Sequence, residues 1–155
     1  MSRLDQFLAF SSEVTAFTVF ELNGTGQAQA YLSAVADAAG EDALNELLGT
    51  YERFAGETEK GPTRDGLLRK AIFGSEKLGP VARNIIKMWY TGMWFELPRE
   101  WTDSFGARDT NTTFIVNGAA YAEGLLWPAI GANPPGAKAP GYASWTQPPK
   151  IPSEF

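Results

Sequence analysis

The chain has 155 residues, 44% of them hydrophobic and 20% charged, with no Cys and no His, which suits one globular domain large enough to bury a core. The two zeros exclude disulfides, thiolate-held zinc, iron–sulfur clusters, cysteine nucleophiles, histidine-ligated haem and a Ser-His-Asp triad. Thirteen basic against eighteen acidic residues give a formal charge of −5, and this balance argues against a duplex nucleic-acid binder, which needs a cationic footprint.

The first hundred residues read as short helices separated by glycines and prolines. Leu4, Phe7, Leu8, Val14 and Phe17 recur at helical spacing and predict an opening helix with one buried face. Asn23-Gly-Thr-Gly26 breaks the chain, Thr25 is placed to cap a second helix, and that helix carries Ala28, Tyr31, Leu32, Val35 and Ala39 before ending at Gly40. A third, from about Glu41 to Ala55, sets Ala43, Leu44, Leu47, Leu48, Tyr51 and Phe54 on one stripe, with Gly56 as its stop. Its Glu41 and Asp42 fall in the first turn, where the helix dipole favours negative charge. After a polar loop from Glu57 to Gly61, Pro62 or Thr63 opens a fourth segment through Leu67, Leu68, Ala71 and Ile72, ending near Gly74. Pro80 sits where a first-turn proline is tolerated, and Val81, Ile85, Ile86, Met88 and Trp89 make a strongly apolar fifth helix. A last helix is predicted from Thr113 to Leu126 through Phe114, Ile115, Ala119, Ala122 and Leu125. Little alternates with period two, so the expected fold is all-α, with about five to six short helices.

Composition changes at Pro128. Residues 131–155 hold six of the ten prolines, no helical period, and the interspersed apolar residues Tyr142, Trp145, Ile151 and Phe155. Proline stiffens the free chain while aromatics supply contact area, a combination suited to an arm laid along a surface of the protein itself or of a partner. The expected organisation is a helical domain over 1–130 and an extended arm over 131–155. The start shows no charged region followed by an apolar one, and no apolar stretch approaches the roughly twenty residues that cross a bilayer. The chain is therefore expected to be soluble, either as a mature form or as one exported with another protein.

Several residues invite chemical readings. The Gly24-Thr-Gly26 turn lacks the preceding strand and third glycine of a dinucleotide loop, so it reads as a helix connection. The tripeptides starting at Asn23 and Asn111 match a glycosylation acceptor but read as turn or capping chemistry. Glu96, Glu100, Asp103 and Glu123 are the candidates for carboxylate acid/base work, which needs two groups about 5 to 10 Å apart across a cleft; solvated faces and helix-end charges explain them equally well. The strongest physical signal is aromatic: Trp89, Tyr90, Trp94, Phe95 and Trp101 fall within thirteen positions, followed by Phe105. A chain this size has limited interior for so many rings, and some are expected in a permanent interface, where Trp and Tyr are enriched.

Three stretches carry a resemblance. They are Phe7-Leu-Ala-Phe-Ser-Ser-Glu-Val-Thr-Ala-Phe17, Leu78-Gly-Pro-Val-Ala-Arg-Asn-Ile-Ile-Lys-Met-Trp-Tyr-Thr-Gly92, and Tyr121-Ala-Glu-Gly-Leu-Leu-Trp127 continuing to Pro134-Pro-Gly-Ala-Lys-Ala-Pro-Gly-Tyr-Ala-Ser-Trp145. In order, they resemble the small (gamma) subunit of bacterial FAD-dependent sugar and polyol dehydrogenases, the sorbitol dehydrogenase-like and gluconate 2-dehydrogenase subunit 3 type. The resemblance implies a non-catalytic accessory subunit that helps a large subunit of the glucose–methanol–choline oxidoreductase type to fold and to reach the periplasm. FAD would then belong to that partner, with no cofactor in this chain, and some such complexes add a cytochrome subunit. The expected location is periplasmic, held at the inner membrane through partners, or cytoplasmic if the absent signal peptide is genuine. Trp89, Tyr90, Trp94, Trp127, Pro134, Pro135, Tyr142 and Trp145 are the expected interface residues. Two other classes stay open on the residues alone: a stand-alone carboxylate-based hydrolase using Glu96 or Glu123, and a free-standing helical binding module.

Overall fold

The computed structural model describes residues 1–138 together with 146 and 148. Among these residues the fold is all-α, apart from one two-stranded sheet. The chain opens with α1 (Arg3–Thr15), α2 (Val19–Gly24), α3 (Ala28–Ala39), α4 (Glu41–Glu57) and α5 (Pro62–Leu67), and α5 runs into a π-helix (Leu68–Phe73). Then come α6 (Leu78–Thr91), β1 (Met93–Trp94), α7 (Arg99–Phe105), β2 (Phe114–Ile115), α8 (Ala120–Glu123) and α9 (Leu126–Ala129). No helix among the described residues is long and apolar enough to cross a membrane.

Two capping boxes start the molecule. The Ser2 hydroxyl accepts from the Asp5 amide at 3.1 Å while the Asp5 carboxylate accepts from the Ser2 amide at 2.9 Å. Thr18 and Glu21 repeat the arrangement at the head of α2, at 3.2 and 2.7 Å. The Ser2 and Thr18 hydroxyls also donate to the Asp5 and Glu21 carboxylates, each at 2.7 Å. These bonds first, with the amide bonds second, hold both carboxyls below their usual range, while the caps satisfy otherwise orphaned first-turn amides. Between the boxes, Ala16 sits at φ 63°, a left-handed stop that reverses the chain after α1.

α6 is the central strut. It packs against α1, α3, α4 and the π-helix, with Val81, Ala82, Ile85, Met88 and Trp89 turned inward. The α3 and α4 stripes predicted from periodicity are buried as expected.

Four expectations need correcting. Thr25 is not the N-cap of α3: its hydroxyl donates to the Leu22 carbonyl, closing α2, and accepts from the Gln27 amide at 3.1 Å, while Gln27 holds the cap position. Gly56 does not stop α4, which continues to Glu57 and is closed by Thr58. The segment around Leu67 to Ile72 changes from α to π winding, so the Gly74 amide reaches the Arg69 carbonyl at 2.8 Å, five residues back.

The largest departure is the predicted helix from Thr113 to Leu126. Phe114 and Ile115 instead pair antiparallel with Trp94 and Met93, and the rest forms the two short helices α8 and α9. The run Thr112-Thr-Phe-Ile-Val116 is β-branched and aromatic, and it fits a pleated surface better than a helix. With α2 and α7 added and the last helix divided, the chain has more helices than the five to six expected.

The turn into α8 is built on close approach. Gly92 ends α6 at φ 74°, and a β-carbon there would stand 2.6 Å from the Ala120 carbonyl group. One at Gly124 would stand 2.7 Å from the Tyr90 carbonyl oxygen. The bare backbones allow the Val116 amide to reach Gly92 O and the Leu125 amide to reach Trp89 O, each at 3.0 Å. Gly92→Ala is expected to cost about 2–4 kcal/mol through left-handed strain plus overpacking. Urea denaturation checks it, and a loss under about 1 kcal/mol would mean that α8 moves aside freely.

Candidate interaction surface

The interface residues expected from sequence divide sharply. Trp89 is 0% exposed, stacked on Phe7 at 6.1 Å and edge-on to Tyr31 at 4.8 Å. Trp94 is equally buried, and its Nε1 donates to Asn111 Oδ1 at 3.3 Å. Neither presents surface to another protein, so both are corrected to core residues. Asn111, read from sequence as turn chemistry, is a buried clamp: its Oδ1 also accepts from the Leu97 amide at 2.9 Å.

The remaining candidates lie at the surface or beyond the described chain. Tyr90 is half-buried, donates its hydroxyl to the Thr15 carbonyl at 2.9 Å, and meets the Phe17 ring edge-on at 6.1 Å. Burial pushes its phenol above the ordinary range. Trp127 is half-buried, donates from Nε1 to Tyr121 O at 2.8 Å and meets the Tyr121 ring edge-on. Pro134 is buried and Pro135 exposed. Tyr142 and Trp145, with most of the expected arm, lie outside the described residues.

Trp127 and Pro134 come together in a groove of about 380 Å³ between α2 and the α8–α9 turn, with Phe17, Glu21, Leu125 and Pro128 also on its walls. Lys138 closes one side by pairing with Glu123 at 2.8 Å. Phe20 stands on the same short helix as Glu21 and Gly24, both of which line the groove, and it is 86% exposed. Tyr121 on α8, Leu126 on α9 and Ile130 just after α9 are also exposed. Phe20 was not singled out from sequence. The legible signal was Thr18-x-x-Glu21, a capping box that starts α2 and leaves Phe20 outside the buried Leu22 face.

The candidate carboxylates do not converge in this groove. Glu123 lines it and is paired with Lys138, and Glu21 is occupied by the Thr18 cap. Glu96, Glu100 and Asp103 are exposed and do not line it, and Asp103 faces Arg99 at 3.7 Å. Among the described residues no group of three or more carboxylates is placed to hold a metal ion. Fold and surface together define a small helical protein with an aromatic-lined groove and several large apolar side chains exposed on or beside the elements that form it. Comparison with protein-family models, with curated proteins and with solved structures finds no match in any of the three.

Proposed function

We propose that this chain is a non-catalytic accessory subunit that stabilises the FAD-containing large subunit of a bacterial sugar or polyol dehydrogenase and helps it mature or reach the periplasm. The family resemblance of the three stretches quoted above supplies the class of partner. The observation that carries the binding role is Phe20, 86% exposed on α2, the helix whose Glu21 and Gly24 line the aromatic-lined groove. Leaving a large ring in water forgoes its burial energy, whereas a central aromatic anchor in an interface contributes about 2 kcal/mol or more. In this reading flavin and substrate chemistry belong to the glucose–methanol–choline-type partner, with a cytochrome as a further subunit in some complexes. Half-buried Tyr90 and Trp127, with Pro135 and the arm over 131–155, extend the contact.

Co-purification with a large flavoprotein subunit of this type tests the reading. Phe20→Asp is expected to weaken the complex roughly tenfold or more while leaving the circular dichroism and melting temperature of the isolated chain unchanged. Deleting 131–155 is expected to abolish co-purification. Full affinity in both variants would remove the binding role. Hydrolytic turnover by the isolated chain, lost in Glu96→Gln or Glu123→Gln, would replace it with the carboxylate hydrolase.

A further inference from the structure

Charge is strongly segregated along this chain. Between residues 60 and 87 there are seven basic and two acidic residues, a local charge of +5 in a chain of −5, which leaves −10 for the remainder. Three of the seven cations have carboxylate partners, Lys60 and Arg64 with Glu13 and Lys77 with Glu46. The other four, Arg69 and Lys70 on the π-helix and Arg83 and Lys87 on α6, are exposed and face no carboxylate within ion-pair distance among the described residues.

Two of these four are held in place. Arg83 donates from Nη2 to the Phe73 carbonyl at 3.0 Å, and its guanidinium lies 5.8 Å from the centre of the Phe73 ring. Lys87, one turn further along the exposed side of α6, stands over the Phe95 ring at 5.3 Å. Cation–π seating orients a charge without neutralising it. Arg69 and Lys70 lie on the wide π turn that the Gly74 amide closes onto the Arg69 carbonyl, and π-helical turns recur at functional sites.

We propose that Arg69, Lys70, Arg83 and Lys87 form a docking strip for an acidic protein surface on the large flavoprotein subunit. The proposal rests on the accessory-subunit reading and adds a second, electrostatic contact to the apolar one around Phe20. Pre-oriented cations suit fixed carboxylates, because little side-chain entropy is lost on pairing. No large hydrophobic side chain is exposed along this strip among the described residues, whereas a helix lying in a lipid interface presents an apolar face beside its cations. A net charge of −5 likewise disfavours the phosphate backbone of a nucleic acid.

The test measures association of the full chain with the purified flavoprotein subunit as a function of salt. The quadruple change Arg69→Glu, Lys70→Glu, Arg83→Glu and Lys87→Glu is expected to slow association roughly tenfold or more at low salt. The difference is expected to shrink as ionic strength rises from about 0.01 to about 1 M, where the Debye length falls from about 30 to about 3 Å. The milder Gln series at the same positions serves as a folding-safe version, with a smaller effect of the same sign. Tight binding that ignores both charge changes and salt would overturn the strip and leave the accessory role standing. Failure of the wild-type chain to bind the flavoprotein at all would overturn both. Sedimentation of the wild-type chain with phosphatidylglycerol vesicles, lost in the quadruple variant while flavoprotein binding is kept, would reassign the strip to anionic lipid.

Discussion

Trp89→Ala is expected to destabilise the folded chain by about 3–5 kcal/mol, the range for truncating a large buried aromatic. Trp89 is 0% exposed at the centre of the molecule, between Phe7 of α1 and Tyr31 of α3, and its carbonyl anchors the Leu125 amide. One substitution therefore opens a cavity shared by three helices. Against a total stability of about 5–15 kcal/mol, the loss should lower the melting temperature by on the order of 10 °C. Trp89→Phe should cost far less, because the buried Nε1 has no hydrogen-bond partner among the described residues and only ring area is lost. Trp127→Ala, at the half-buried groove wall, should cost under about 2 kcal/mol of stability and act instead on partner binding. Chemical denaturation of the three variants separates them. If Trp89→Ala folded normally and lost only its partner, Trp89 would be an interface anchor after all.

That contrast marks what could be read from the residues. The stripes of α3, α4 and α6 are local, period-3.6 patterns, and each buries the face its spacing predicts. In α1 only Phe7 and Leu8 of the predicted stripe are buried, Leu4 and Val14 are half-buried, and Phe17 lies beyond the helix end at Thr15. The aromatic run from Trp89 to Trp101 was legible as a cluster, but its placement was not. Trp89, Trp94 and Trp101 all fit inside because polar partners distant in sequence receive two of the three indoles, Asn111 for Trp94 and the Lys77 carbonyl for Trp101. Nor was the pairing of Met93–Trp94 with Phe114–Ile115 visible, since the whole of 95–113 separates strands of two residues each. With its sheet partner hidden, Phe114-Ile115 was absorbed into a helical pattern that Ala119, Ala122 and Leu125 only partly supported. The groove shared this fate, because Phe17 and Trp127 stand near opposite ends of the sequence. Contacts distant in sequence, the close approaches at Gly92 and Gly124 and the Asn117 side-chain amide donating to Gln27 Oε1 at 2.7 Å, fix the α8–α9 region against the rest of the chain.

Arg64→Ala is expected to cost about 3–5 kcal/mol, because it strips the principal counter-charge from a buried carboxylate. The side chains of Arg64 and Glu13 are 9% and 7% exposed, with Nη1 to Oε2 at 3.3 Å. Arg64 also donates to the Ala55 carbonyl near the end of α4, so one guanidinium ties α5 to both α1 and α4. The Tyr51 hydroxyl donates to the same Glu13 oxygen at 3.0 Å, while Lys60, largely exposed at 3.9 Å, is too solvated to replace the arginine. Glu13→Gln should cost less, since it removes the buried charge and keeps an acceptor for Tyr51, and the paired variant Glu13→Gln/Arg64→Met should recover part of the loss. A double-mutant cycle in urea reads the coupling, and a coupling under about 0.5 kcal/mol would mean that the pair is solvated. The triad also sets an alkaline limit. Burial first, and then the Glu13 charge, push the Tyr51 phenol from 10.0 up to about 12. The folded chain therefore holds this proton more tightly than the unfolded one. The stabilisation is fully present below pH 10 and is lost as pH rises through about 12. Glu13→Gln removes the charge that adds to burial, so in that variant the tyrosine should ionise at lower pH and the alkaline loss should begin earlier, as followed by absorbance of the ionised phenol.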